Sequence, residues 1–139
     1  MNIKIAEITD KPIVAEEVTK LVLDKSHGAD VTFVGRVRNH DENKNVTKLV
    51  YEAHPDVSKQ IYELTSIISK LFPEVTLATL HRVGNLEIGD IAFIVAAASA
   101  HRDESLNACR ALVESIKSNA PIWKHQYFAD GTDEWVNSP

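Results

Sequence analysis

The chain has 139 residues and a mass of 15.4 kDa; with 44% hydrophobic and 25% charged residues it has the make-up of one globular domain, residues 1–139, and this excludes disorder and fibrous repeats. Fifteen Lys and Arg against twenty Asp and Glu leave a net charge of −5, so the surface as a whole repels nucleic acid and anionic lipid, and any anion site must be a local cluster of cations. The longest apolar run, Ile91 to Ala98, falls far short of the ~20 residues that cross a bilayer.

The first element is a strand at Ile3 to Ile5. Asp10 and Pro12 then supply a cap and a first-turn proline for a helix with Val14, Val18, Leu21 and Val22 on one face, closed by Ser26-His27-Gly28. Ala29 to Arg38 is β-rich and forms a second strand, with Gly35 marking a bulge or a close backbone approach. Polar residues Asn39 to Asn45 read as a loop, followed by a strand with Thr47, Leu49, Tyr51 and Ala53 on one face. Pro55 opens a helix carrying Val57, Ile61, Leu64, Ile68 and Leu71, and Pro73 stops it. Val75 to Val83 and Ile88 to Ser99 are strands joined as a hairpin through Gly84-Asn85-Leu86-Glu87. The last helix is Asp103 to Ser118, ended by Pro121, with short extended pieces at Gln126 to Ala129 and Glu134 to Val136. This order predicts one α+β domain in which three helices cover a mixed or antiparallel sheet.

The amino terminus lacks the charged head and apolar stretch of a secretory signal, and Cys109 is the one cysteine, so a soluble cytoplasmic protein without an internal disulfide is expected. Cys109 lies mid-arc on the last helix among Leu106, Leu112, Val113 and Ile116, where a thiol acts as a small core hydrophobe. The six histidines show no metal-ligand spacing, and no phosphate-binding, dinucleotide or nucleophile-elbow motif is present; no metal or cofactor is called for.

Positive charge gathers in three segments. Arg36 and Arg38 are two apart, so along a continuing strand both would project from one face as a fork for phosphate or carboxylate. His101 and Arg102 stand where a core strand meets a helix N-terminus, a favourable place for an anion, although Asp103 and Glu104 stabilise such a turn without any ligand. Lys117 lies on the rim of the last helix's apolar arc and can reach over a pocket edge, and Lys124 follows Trp123.

Phe33 to His40, His81 to Asp90, Ser99 to Arg102, Lys117, and Ala120 to Lys124 together resemble, in order and spacing, the large catalytic subunit of molybdopterin synthase. The resemblance implies an α/β hammerhead fold and an enzyme of molybdenum cofactor biosynthesis that inserts two sulfurs into cyclic pyranopterin monophosphate. It implies a small ubiquitin-like partner that brings the sulfur as a C-terminal Gly-Gly thiocarboxylate, with two large subunits forming a central homodimer inside a heterotetramer. Carried over residue by residue, Arg36, Val37, Arg38, His101, Arg102, Lys117, Lys124, His125 and Gln126 would line the site for substrate and tail. Lys117, its pKa lowered by Arg36, Arg38 and Arg102, would act as general acid/base or meet the acyl carbon. Lys124 would assist proton transfer and stabilise the oxyanion, and His101 would orient groups or shuttle protons. Relatives commonly carry a basic residue and then a glutamate where this chain has His125-Gln126. Two other readings stand beside this one: a non-catalytic module that binds a phosphorylated metabolite or a ubiquitin-like tail, and a scaffolding subunit.

Overall fold

The residue pattern of Ile91 to Ala98 decides the architecture: a strand apolar at every position must be covered on both faces. In the computed structural model, which describes residues 2–136, this segment is β7 (Ile91–Ser99). It is central in a four-stranded mixed sheet with β1 (Ile3–Thr9), β5 (Thr76–Arg82) and β2 (Ala29–Arg36), in the order β1-β5-β7-β2. β1 runs parallel to β5, and the other pairings are antiparallel. On one face Ile94, Ala96 and Ala98 pack with Val18 and Val22 of helix α1 (Ala15–Val22). On the other, Phe93, Val95 and Ala97 join Ile61 and Ile68 of α2 (Val57–Leu71) and Cys109, Leu112 and Ile116 of α3 (Arg102–Asn119).

A second sheet is built from β3 (His40–Asp41), β4 (Lys44–Ala53), β8 (Ile122–Phe128) and β9 (Asp133–Val136), with β6 (Gly84–Leu86) pairing β4. Leu49, Tyr51, Leu86 and Ile122 anchor this sheet in the α2–α3 core. The α+β class, the mixed pairing and the three helices agree with the sequence reading, but the strands divide between two sheets.

Several local expectations are corrected. Helix α1 starts after Val14 with no side-chain cap and ends at Val22, well before Gly28. Gly28 is instead required by crowding, since a Cβ there would lie 2.5 Å from the Ala100 carbonyl oxygen. The Asn39 to Asn45 segment contains β3 and a tight turn at Glu42 and Asn43, whose φ angles of 48° and 66° suit the right-handed twist of a hairpin. The 83–90 connection is no simple hairpin, because β6 leaves the first sheet to pair with β4. Arg82 Nη1 donates to Asp90 Oδ2 at 3.3 Å, and the Glu87 amide donates to the same oxygen at 2.9 Å, which braces that excursion. β8 begins at Ile122, longer than the extended piece expected. Leu71 and Leu106 are exposed despite their helical spacing. No helix of the described residues is long and apolar enough to cross a membrane.

Candidate active site

Three cations converge where the two sheets meet the end of α3. The buried arc of α3 fixes the helix against β7, and this sets Lys117, in the last turn, above the Phe93 ring with Nζ 5.9 Å from its centre. On β8, Lys124 stands opposite Tyr51 of β4 in the antiparallel register. Arg38 follows the end of β2 and reaches Asp41, with Nη2 3.7 Å from Oδ1. Asp41 in turn accepts a 2.7 Å hydrogen bond at Oδ2 from Nε2 of Gln126, which is buried on β8.

Loss of water around its amine lowers the pKa of Lys117, and the like charges of Lys124 and Arg38 lower it further against the weaker pull of Glu114. Lys124 is lowered mainly by desolvation as well; Arg38 adds to this while Asp41 and Glu134 oppose it. Asp41 is held below the ordinary carboxylate range, first by the Gln126 hydrogen bond and then by Lys124 and Arg38. Two amines that give up protons more readily than exposed lysines, beside a permanent guanidinium, can bind an anion and exchange protons with it.

The floor beneath them is aromatic and buried. His81 on β5 is fully buried; its ring stacks on Phe93 at 5.4 Å and meets the Tyr51 ring edge-on at 5.0 Å. His81 Nδ1 lies 2.8 Å from the Arg82 carbonyl, which can only accept, so Nδ1 carries the hydrogen. Burial pushes this imidazole down to about 4 and the Tyr51 phenol up to about 12. Both are therefore neutral near pH 7.

The expected site residues do not all gather here. Arg36 and Arg38 make no fork: the β2–β7 register shifts between Gly35 and Arg36, and Arg36 Nη1 turns to donate to the Gly89 carbonyl at 3.1 Å. Val37 is buried in the core, its amide and carbonyl tied to Asp90 and Gly89. His125 points to the opposite face of β8 from Lys124 and Gln126, against Asp133 and between the rings of Tyr127 and Trp135. His101 and Arg102 open α3 whereas Lys117 lies near its end, so at ~1.5 Å per residue Arg102 stands roughly 20 Å away along the axis. The like charges that lower the Lys117 pKa are those of Lys124 and Arg38. Cys109 is buried, and desolvation raises its thiol pKa. Among the described residues no three His, Cys, Asp or Glu side chains come together as metal ligands.

Sequence reasoning missed Asp41, Tyr51 and Phe93. Asp41 belonged to a stretch read as loop, and the signal available was a polar Glu42-Asn43 pair between potential strands. Tyr51 and Phe93 fell into their strands' apolar patterns, which mark burial and leave unstated what lies above the ring.

A family model described as MoaE protein matches residues 8–119. A protein of Mycobacterium tuberculosis (strain ATCC 25618 / H37Rv), "Molybdopterin synthase catalytic subunit 1", is 39% identical over 132 residues, covering 93% of this chain and 88% of its own. Among solved structures, molybdopterin synthase from Staphylococcus aureus is 32% identical with a TM-score of 0.88 over 94% of this chain and 96% of the other. The fold is shared too by a chain from a complex of subunits 1 and 2 of the molybdopterin-converting factor of Helicobacter pylori 26695, at 22% identity and a TM-score of 0.69, covering 99% of this chain and 90% of that one.

Proposed function

The chain belongs to the MoaE family, the catalytic subunits of molybdopterin synthase, and from that premise we propose that Arg38, Lys117 and Lys124 carry its reaction. The protein is an enzyme of molybdenum cofactor biosynthesis that transfers sulfur. It works with a small partner subunit. In our reading that partner is ubiquitin-like and presents a C-terminal Gly-Gly thiocarboxylate, and the acceptor is cyclic pyranopterin monophosphate, which gains two sulfurs. The observation that carries the assignment is the meeting of three cations, two of them amines with lowered pKa, over a neutral aromatic floor.

Both reactants are anions. Arg38 is permanently charged and suits a phosphate or thiocarboxylate, as two or more N–H groups can address one acid group. Lys117, whose amine gives up its proton more readily than an exposed lysine, serves as general acid/base as sulfur leaves the acyl carbon for the pterin, or attacks that carbon itself. Lys124 stabilises the oxyanion that develops on the tail. His101 and Arg102 lie too far along α3 to reach the same small molecule, and a second copy of the chain in a homodimer supplies them to this site.

The test is a purified assay with the thiocarboxylated partner and cyclic pyranopterin monophosphate. The expected result is dithiolene-containing product, with two thiocarboxylates consumed for each molecule formed. Binding of both reactants with no product would favour the non-catalytic module instead.

A further inference from the structure

A carboxylate among three cations is the part of this site that the reading above leaves unused. We propose that Asp41 is a positioning residue of the active site, which through its contacts to Arg38 and Gln126 holds the cation cluster in register and sets a negative charge beside Lys124. The inference rests on the assignment of Lys124 to the reaction.

Asp41 is placed by an unusual piece of chain. β3 has only two residues, and the turn that returns it to β4 holds two successive non-glycine residues at positive φ, Glu42 and Asn43. Left-handed backbone is disfavoured for residues that carry a Cβ, so the surroundings must hold it. Part of that fixing comes from Asp41 itself: Oδ2 accepts from the buried Gln126 amide at 2.7 Å, and Oδ1 faces Arg38 at 3.7 Å. One carboxylate thus links the segment after β2 to the middle of β8, the strand that bears Lys124. Gln126 and Lys124 are two apart on β8 and share a face, so whatever orients Gln126 also fixes the strand beneath Lys124.

The charged groups around Lys124 come from several elements: Arg38 after β2, Asp41 on β3, Glu134 on β9 and Lys117 on α3. Burial and Arg38 push the ammonium toward deprotonation, and Asp41 and Glu134 oppose them. Asp41 is the member of this opposition that is itself locked by a hydrogen bond to a buried side chain, and it favours the charged amine more strongly than Glu134 does.

The discriminating variant is Asp41→Asn, which keeps the shape and an oxygen for the Gln126 amide while removing the charge and putting an NH2 group where Oδ1 faced Arg38. Its Lys124 amine, followed by NMR of the ε-13C-labelled full chain, should titrate at lower pH than in the wild type. The kcat for sulfur transfer should fall about tenfold with KM changed less than twofold, and Tm should stay close to wild type. The exchange variant Asp41→Asn/Gln126→Glu returns a carboxylate across the same hydrogen bond and should restore both the titration and most of kcat. An unmoved Lys124 titration in Asp41→Asn would overturn the proposal, as would a double variant no better than the single one. A moved titration with unchanged turnover would retain the electrostatic role of Asp41 and refute instead the assignment of Lys124 to the reaction.

Discussion

His81 shows most clearly how one side chain links burial to charge. In the unfolded chain it binds a proton below its ordinary value of 6.5, but in the folded protein only below about 4. Between those values the unfolded state holds more protons, so the His81 contribution to stability is fully present above pH 6.5 and is lost as the pH drops toward 4, by about 3 kcal/mol. Urea titrations across that range should show this loss, and His81→Asn, which keeps a donor for the Arg82 carbonyl, should flatten it. Lys124 acts on Lys117 with the opposite logic: Lys124→Ala removes a like charge, so the Lys117 amine should titrate at higher pH, a shift that NMR of labelled lysine detects. Cys109 is buried and its thiol pKa is raised, which makes it a poor nucleophile. Cys109→Ala should keep sulfur transfer within twofold while losing about 1–2 kcal/mol of stability, because it deletes a buried atom from the α3–β7 contact.

Elements whose burial is periodic were legible in the sequence, and those defined by partners were not. The apolar run of β7 and the spaced hydrophobics of α2 and α3 place those elements within a few residues. β6 was hidden because its three residues form a strand only where β4 offers an edge, and the chain reaches that edge through the Arg82–Asp90 brace. Asp90→Ala removes the acceptor for both Arg82 and the Glu87 amide. It should cost about 1–3 kcal/mol and raise hydrogen exchange at β6 before the rest of the sheet. The fork expected from Arg36 and Arg38 failed for a similar reason: alternation predicts a shared face only while a strand continues, and β2 stops at Arg36 after a register shift. Lys117 and Lys124 were recognisable as candidates, whereas the hydrogen bond between Asp41 and Gln126 spans two distant segments with no short-range pattern to announce it.

On the scale of the whole molecule, an acidic protein confines its useful positive charge to the seam between two sheets and one helix end. His101 and Arg102 remain at the far end of α3, and the homodimer reading brings them to the seam of the neighbouring copy. Mixing the inactive variants Lys117→Ala and Arg102→Ala should then restore about a quarter of wild-type sites, since random pairing makes half the dimers mixed and leaves each of those one intact site. No recovery after subunit exchange would assign both residues to separate functions. The most direct test of the cation cluster is a side-by-side measurement of substrate binding and single-turnover sulfur transfer in Arg38→Ala and Lys117→Ala. The account predicts that Arg38→Ala loses binding and turnover together, and that Lys117→Ala still binds but transfers sulfur at least a hundredfold more slowly. Wild-type transfer by a folded Lys117→Ala protein would contradict it.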